Sequence, residues 1–209
     1  MILMSKNEYL KNPCRASSLP YWKSACMTVP EHMKILHHED FSVQMLEQYL
    51  DEPYFRLKHD LQAVKPAAVP DGFSFCAASL QDFSNHINEC YGAPCMTVEE
   101  LQSFTERAVY CPELWIALKD EKTGKIAATG IAELDRSIGE GILEWVQVSE
   151  AYRHYGLGTC IVLELLGRMQ SKAEFATVSG QCRNPGNPQG LYRKCGFVGD
   201  DVWHILRKR

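Results

Sequence analysis

The chain has 209 residues, 45 % of them hydrophobic and 23 % charged, with a net charge of −4. That length fits one domain, or one domain with an extension, and the composition excludes disordered and low-complexity architectures. A mildly acidic chain exerts no global pull on nucleic acid or anionic membrane, and no apolar run nears the ~20 residues of a bilayer span.

In chain order, the start Met1–Ser5 lacks the basic flank and apolar stretch of a secretion signal, so the expected location is cytoplasmic. Met33–His38 reads as a strand, Val43–Leu50 as a short helix with Met45, Leu46, Tyr49 and Leu50 on one side, and Tyr54–Leu61 as a second strand. The aromatics Tyr21, Trp22, Tyr54 and Phe55 indicate that this region packs. A boundary falls at Gln62–Gly72, where Pro66, Pro70 and Gly72 leave no periodicity. Residues 1–70 hold 8 basic and 8 acidic residues; the rest hold 14 and 18, which supplies the whole net charge. The expected organisation is an extension over 1–70, docked on a domain over 71–209.

Past the boundary, Gly72–Ala78 alternates like a strand, and Leu80, Phe83, Ile87 and Tyr91 recur at helical spacing. Thr97-Val-Glu-Glu100 is a capping-box signature opening a helix with Val98, Leu101 and Ala108 inward. Strands are predicted at Leu114–Leu118, Ile126–Leu134 and Ile142–Val148, with turns at Lys122–Gly124 and Ser137–Gly141. A glycine turn then opens a helix with Ile161, Val162, Leu165, Leu166 and Met169 on one stripe. A strand over Phe175–Cys182, a short helix over Pro188–Lys194 and a last strand over Phe197–Leu206 follow. The sum is an α+β fold with a mixed, mostly antiparallel sheet flanked by helices.

Nine cysteines, at 14, 26, 76, 90, 95, 111, 160, 182 and 195, include no Cys-x-x-Cys pair. They read as small hydrophobes rather than a disulfide framework or zinc ligands, and no metal is expected. His37 and His38 are adjacent; on a strand they face opposite ways and cannot hold one ion together. The Arg207–Arg209 tail reads as a solvated terminus.

The chemistry points to Val146-Gln-Val-Ser-Glu-Ala-Tyr-Arg153-His-Tyr-Gly156-Leu-Gly158-Thr159. Here a strand runs into a basic, glycine-containing turn that opens a helix. Glycines remove Cβ atoms where backbone approaches a ligand, and the helix start turns its N–H groups toward an anion. Arg153 adds a fixed charge, giving room for a diphosphate. No Gly-Lys-Ser/Thr follows, which excludes a phosphate-loop nucleotidase, and Ile161 stands where a dinucleotide fold needs its third glycine. By itself this pattern is also that of a turn that merely starts a helix.

Thirty-three residues after Gly158 comes Leu191-Tyr192-Arg-Lys-Cys-Gly196-Phe197. With both motifs in this order, the chain from about Gly72 to Leu206 resembles the GNAT superfamily of acyl-CoA-dependent N-acetyltransferases. That resemblance implies acetyl-CoA as cosubstrate, with its diphosphate on the amides of His154, Tyr155, Gly156, Leu157, Gly158 and Thr159 beside Arg153. It implies that the pantetheine arm pairs with the strand at Val146 and Val148, and that the following strand splays away there. Tyr192 matches the tyrosine that protonates the departing thiolate, although a core aromatic is the plain alternative. Glu144 shares a face with Val146 and Val148 by the period of two and could take the amine's proton, with Glu133 and Glu140 as competitors. The family's asparagine seven residues before the tyrosine is here Pro185; Asn184 or Asn187 could substitute.

The expected activity is acetyl transfer from acetyl-CoA to a primary amine by direct attack in a ternary complex. The rival is a non-catalytic acyl-CoA-binding module. The acceptor, a small molecule or a peptide amine, is not readable; no nucleic-acid or membrane partner is expected, and a homodimer stays open.

Overall fold

Strand β8 (Val198–Lys208), the last element of the chain, lies between two strands from its beginning: β1 (Met33–His37) and β2 (Tyr49–His59). This is the computed structural model of the chain, which describes residues 4–24, 28–92 and 94–209; Cys26 lies outside them. The described residues divide into two units, one of 1–59 with 177–209 and one of 60–176. Long-range strand pairing, rather than chain order, sets the first unit.

In that unit β8 runs antiparallel to β1, from Met33 opposite Arg207 to His37 opposite Trp203, and to β2, from Tyr49 opposite Lys208. Strand β7 (Phe175–Gln181), which belongs here from Thr177 onward, follows β2. Helices α1 (Lys6–Lys11), α2 (Pro13–Ala16) and α3 (Tyr21–Ser24) precede the strands. The fully buried Arg56 of β2 links them: its guanidinium donates to Tyr9 Oη at 2.8 Å and Ser179 Oγ at 3.0 Å. Gly180 has no Cβ because the Phe55 ring would lie 2.6 Å from it.

Two sequence expectations change here. The helix over Val43–Leu50 is a 3₁₀ turn, Val43–Glu47, and β2 already starts at Tyr49. Of its apolar stripe Leu46 and Leu50 stay exposed and Met45 and Tyr49 are only half-buried, and pairing with β8 claims Tyr49 and Leu50 instead. The second strand begins five residues earlier than expected. Pro53 has no N–H to give, yet its carbonyl accepts from Cys182 N at 2.9 Å, so the strand continues through it.

The second unit is an antiparallel meander in the order β6-β5-β4-β3. Its strands are β3 (Phe73–Cys76), β4 (Trp115–Asp120), β5 (Ile126–Asp135) and β6 (Glu140–Val148). Helices α4 (Leu80–Tyr91) and α5 (Val98–Thr105) cover one face, where Phe83, Ile87, Met96, Leu101 and Ile131 make the core. Both open with capping boxes, Ser79 with Asp82 and Thr97 with Glu100. α5 stops at Thr105, so Ala108 is exposed and Val109 takes the buried place.

Helix α6 (Leu157–Met169) covers the other face, buried along Leu157, Cys160, Ile161, Val162, Leu165, Leu166 and Met169. It seats closely because β5 and β6 offer glycines under it. A Cβ on Gly130 would lie 2.5 Å from Ile161 Cγ2, and one on Gly141 2.5 Å from Met169 Sδ. Helix α7 (Pro188–Lys194), in the first unit, completes an α+β fold of mixed, mostly antiparallel strands flanked by helices. No helix among the described residues is long and apolar enough to cross a membrane.

Candidate active site

Strand β6 carries an irregularity at the place where the sequence put chemistry. Trp145 pairs with Ile131 but Leu143 with Ala132, so one extra residue, Glu144, is inserted opposite β5. Beyond it, Val146 pairs with Gly130 and Val148 with Ala128, the half-buried rungs leading to the turn. The bulge breaks the period of two, so alternation does not put Glu144 on the face of Val146 and Val148 as expected. Of its competitors, Glu133 is 4 % exposed and held by the Arg107 guanidinium at 2.8 Å, and Glu140 is fully buried beside the hairpin.

The turn after β6 is built in steps. Ser149 N–H donates to Ala127 O at 3.0 Å, and a 3₁₀ turn over Glu150–Tyr152 brings the chain to Arg153. His154 then takes φ +69° and Gly156 φ +83°, both left-handed. Among the described residues His154 is one of three non-glycine residues there, a conformation that costs about 1–2 kcal/mol. Gly156 is the N-cap of α6 and has no side chain to offer the first N–H groups. The turn is braced from below: the Phe73 ring meets Tyr152 and Tyr155 edge-on, each at 5.8 Å, and Tyr152 Oη donates to Asp120 Oδ2 at 3.0 Å. Arg153, His154, Tyr155 and Gly156 are exposed, Gly158 and Thr159 half-buried, and Leu157 buried as the helix anchor. An open recess of about 430 Å³ adjoins the turn, lined by Glu89, Cys90, Glu150, Ala151 and Arg153. Backbone donors, a positive helix end and a guanidinium on one exposed turn suit a diphosphate.

The remaining predicted residues belong to the first unit. Tyr192, on α7, is 7 % exposed, with ring centroids 6.2 Å from Phe55 and 5.7 Å from Phe197. Asn187 caps α7 in a left-handed conformation, its Oδ1 accepting from Gly190 N at 3.1 Å. Asn184 Oδ1 accepts from Gly186 N at 2.8 Å. Both asparagine carbonyl oxygens are thus engaged in shaping their own loop.

His37 and His38 do not diverge as expected. β1 ends at His37, alternation ends with it, and the two ring centroids lie 4.1 Å apart. Their donor atoms and a Glu39 oxygen lie within 4.8 Å of one another. His37 Nε2 is shared with Asp201 Oδ1 at 3.0 Å, and Glu39 is bound by Arg15. The eight described cysteines are free thiols, four of them buried; burial pushes the Cys160 and Cys90 thiols up to about 11.

Sequence reasoning missed the support behind the turn. Phe73 and His86 read as an alternating strand residue and an off-stripe helix residue, and nothing local marks their distant partners.

A family model described as an acetyltransferase (GNAT) domain matches residues 112–199. Among solved structures, a GCN5-related N-acetyltransferase from Sphaerobacter thermophilus superposes with TM-score 0.72 at 20 % identity, over 84 % of this chain and 58 % of that one. An acetyltransferase from the GNAT family from Colwellia psychrerythraea gives 0.61 at 14 % identity, over 84 % and 64 %. A tandem GNAT protein from the clavulanic acid biosynthesis pathway gives 0.59 at 16 %, over 76 % and 54 %. The chain therefore spans less than two thirds of the length of each of these three, and identities this low speak for the fold alone. No curated protein matches the sequence. The family match takes in β4, β5, β6, the glycine turn and the Tyr192 motif, and the solved structures share the fold: residues 112–199 are similar to a GNAT acetyltransferase domain.

Proposed function

We propose that the protein transfers an acetyl group from acetyl-CoA to a primary amine by direct attack within a ternary complex. The observation that carries the reading is the α6 N-terminus, left without a side-chain cap behind a left-handed, Arg-bearing turn. In this reading the amides of His154 to Thr159 and the Arg153 charge hold the coenzyme diphosphate. The bulged β6 pairs with the pantetheine arm along Val146 and Val148, as an added strand would. A bulge turns local N–H groups out of the ladder, which suits them to bind the oxygen of a thioester as its carbonyl becomes tetrahedral.

The amine must lose a proton as it attacks, and the thiolate must gain one. Glu144, the extra residue of the bulge, is the proposed base, acting directly or through water. Glu133 is a poor rival because Arg107 already stabilises its charge. Tyr192 is the proposed acid for the thiolate. Asn184 or Asn187 is left with an amide N–H₂ for the coenzyme arm. The amine comes from a small molecule or a peptide.

Release of free thiol from acetyl-CoA with a panel of amines tests the reading. Acceptor-dependent thiol release is the expected result. Tight coenzyme binding with no turnover on any amine favours the non-catalytic acyl-CoA-binding module instead.

A further inference from the structure

His86, on α4, is a titratable group only 3 % exposed that the reaction above does not use. Its Nδ1 lies 2.9 Å from Thr129 Oγ1 on β5, and its Nε2 2.9 Å from Ser149 Oγ, the first residue past β6. Thr129 Oγ1 also accepts from Gln147 Nε2 at 2.8 Å. All four residues are at most 7 % exposed. One imidazole therefore ties a helix, the strand β5 and the exit of β6 together. Ser149 is where the anion turn begins: its carbonyl accepts from Tyr152 N–H at 2.9 Å.

A buried histidine is often no more than a satisfied core residue. This network is not satisfied throughout, because Gln147 Oε1 is buried without a hydrogen-bond partner. An apolar packing of the same volume would be cheaper than a polar network with an orphan in it. What the polar version adds is direction, since hydrogen bonds fix the path of the Ser149 backbone as apolar contacts cannot.

We propose that His86 is a positioning residue for the coenzyme turn: as neutral imidazole it fixes Ser149, and through it the course of Glu150–Gly156 into α6. This rests on the turn being the diphosphate site. A consistent arrangement has Thr129 receiving the Gln147 amide hydrogen and giving its own to Nδ1, which leaves Nε2–H to donate to Ser149 Oγ. A second ring proton reverses the Thr129 bond. Burial holds the imidazole below its ordinary pKa, against the opposing pull of Glu89 and the Ala127 carbonyl. The other titratable groups facing it are Cys90, whose Sγ is 3.7 Å from Nε2, and Arg153, whose charge acts on Cys90. The facing β5 and β6 residues supply hydroxyls and an amide.

The test compares wild type with His86→Phe, His86→Gln and Ser149→Ala, by amide hydrogen exchange and by calorimetric titration with coenzyme A. In His86→Phe and Ser149→Ala, exchange over 149–156 should quicken about 10-fold while 160–169 keep their protection, and coenzyme A should bind about 10-fold more weakly. His86→Gln, which keeps a donor and an acceptor, should recover part of both. As pH falls below about 6.5, wild-type affinity should fall further than that of His86→Gln, in which the coenzyme phosphate and His154 titrate alike. Unchanged turn exchange in folded His86→Phe, or in Ser149→Ala should His86→Phe not fold, overturns the proposal. If the wild type does not bind coenzyme A, the reading of the turn as a diphosphate site fails, and the exchange data still decide what His86 holds.

Discussion

The N-terminus of α4 and that of α6 belong to the same unit and end in opposite chemistry. α4 closes on itself: Ser79 Oγ accepts from Asp82 N–H at 3.2 Å, and Asp82 Oδ2 accepts from Ser79 N–H at 2.7 Å. The Ser79 hydroxyl, donating to Asp82 Oδ2 at 2.7 Å, and then the Ser79 N–H hold the Asp82 carboxyl below its ordinary pKa. α5 repeats the device with Thr97 and Glu100. α6 has glycine at its cap, in a left-handed conformation and with no side-chain bond. A chain that caps α1, α2, α4, α5 and α7 with side chains forgoes a few tenths of a kcal/mol by placing glycine at the cap of α6. The contrast is what the proposed diphosphate site rests on: α4 and α5 satisfy their own first N–H groups, and α6 does so with no side chain.

The sharpest way to break the contrast is to close α6. Asn187 shows within this chain that asparagine can cap a helix from a left-handed conformation. Gly156→Asn should therefore fold, and with Gly158→Val the turn should lose measurable coenzyme A binding, because side chains occupy the diphosphate's place. Binding unchanged in the folded double variant, read by calorimetry, would return α6 to an ordinary helix start. Next in size, Tyr192→Phe keeps the ring that packs on Phe55 and Phe197 and removes only the hydroxyl. Turnover should fall about 10²–10⁴-fold with coenzyme affinity intact; a change of a few-fold would assign the proton to water or another group.

Smaller effects test the self-contained end. Ser79→Ala should lower stability by about 1 kcal/mol in a denaturant melt while sparing coenzyme affinity. A loss of affinity there would mean that α4 and the turn are not separable. The smallest effect is in pH. A histidine with a depressed folded pKa binds fewer protons folded than unfolded, so its contribution is full above about 6.5 and declines as pH falls below that value. The melting temperature of the wild type should drop more than that of His86→Gln between pH 7.5 and 5.5.

The legible parts of this molecule are those whose signal is local. The Thr97 capping box, the α6 stripe, the meander turns and the glycine turn each declare themselves within a dozen residues, and they form where the sequence puts them. The pairing of β8 with β1 and β2 joins positions 140 or more residues apart, and no spacing rule reaches that far. At Glu144 the failure is of another kind: alternation is a sound rule for a regular strand, and a bulge leaves no mark in composition. His37 and His38 fail likewise, since the rule that parts them holds only while the strand lasts. His86 was invisible because its partners, Thr129 and Ser149, lie 43 and 63 residues on.

The central claim is that the open end of α6 is a diphosphate site, and comparing coenzyme A with pantetheine by calorimetric titration tests it most directly. Pantetheine keeps the arm proposed to run along β6 and lacks the diphosphate. Coenzyme A should bind about 100-fold or more tightly than pantetheine, with the advantage shrinking as salt rises, as charge-assisted bonds to Arg153 and the turn amides require. Equal affinities for the two would contradict the account.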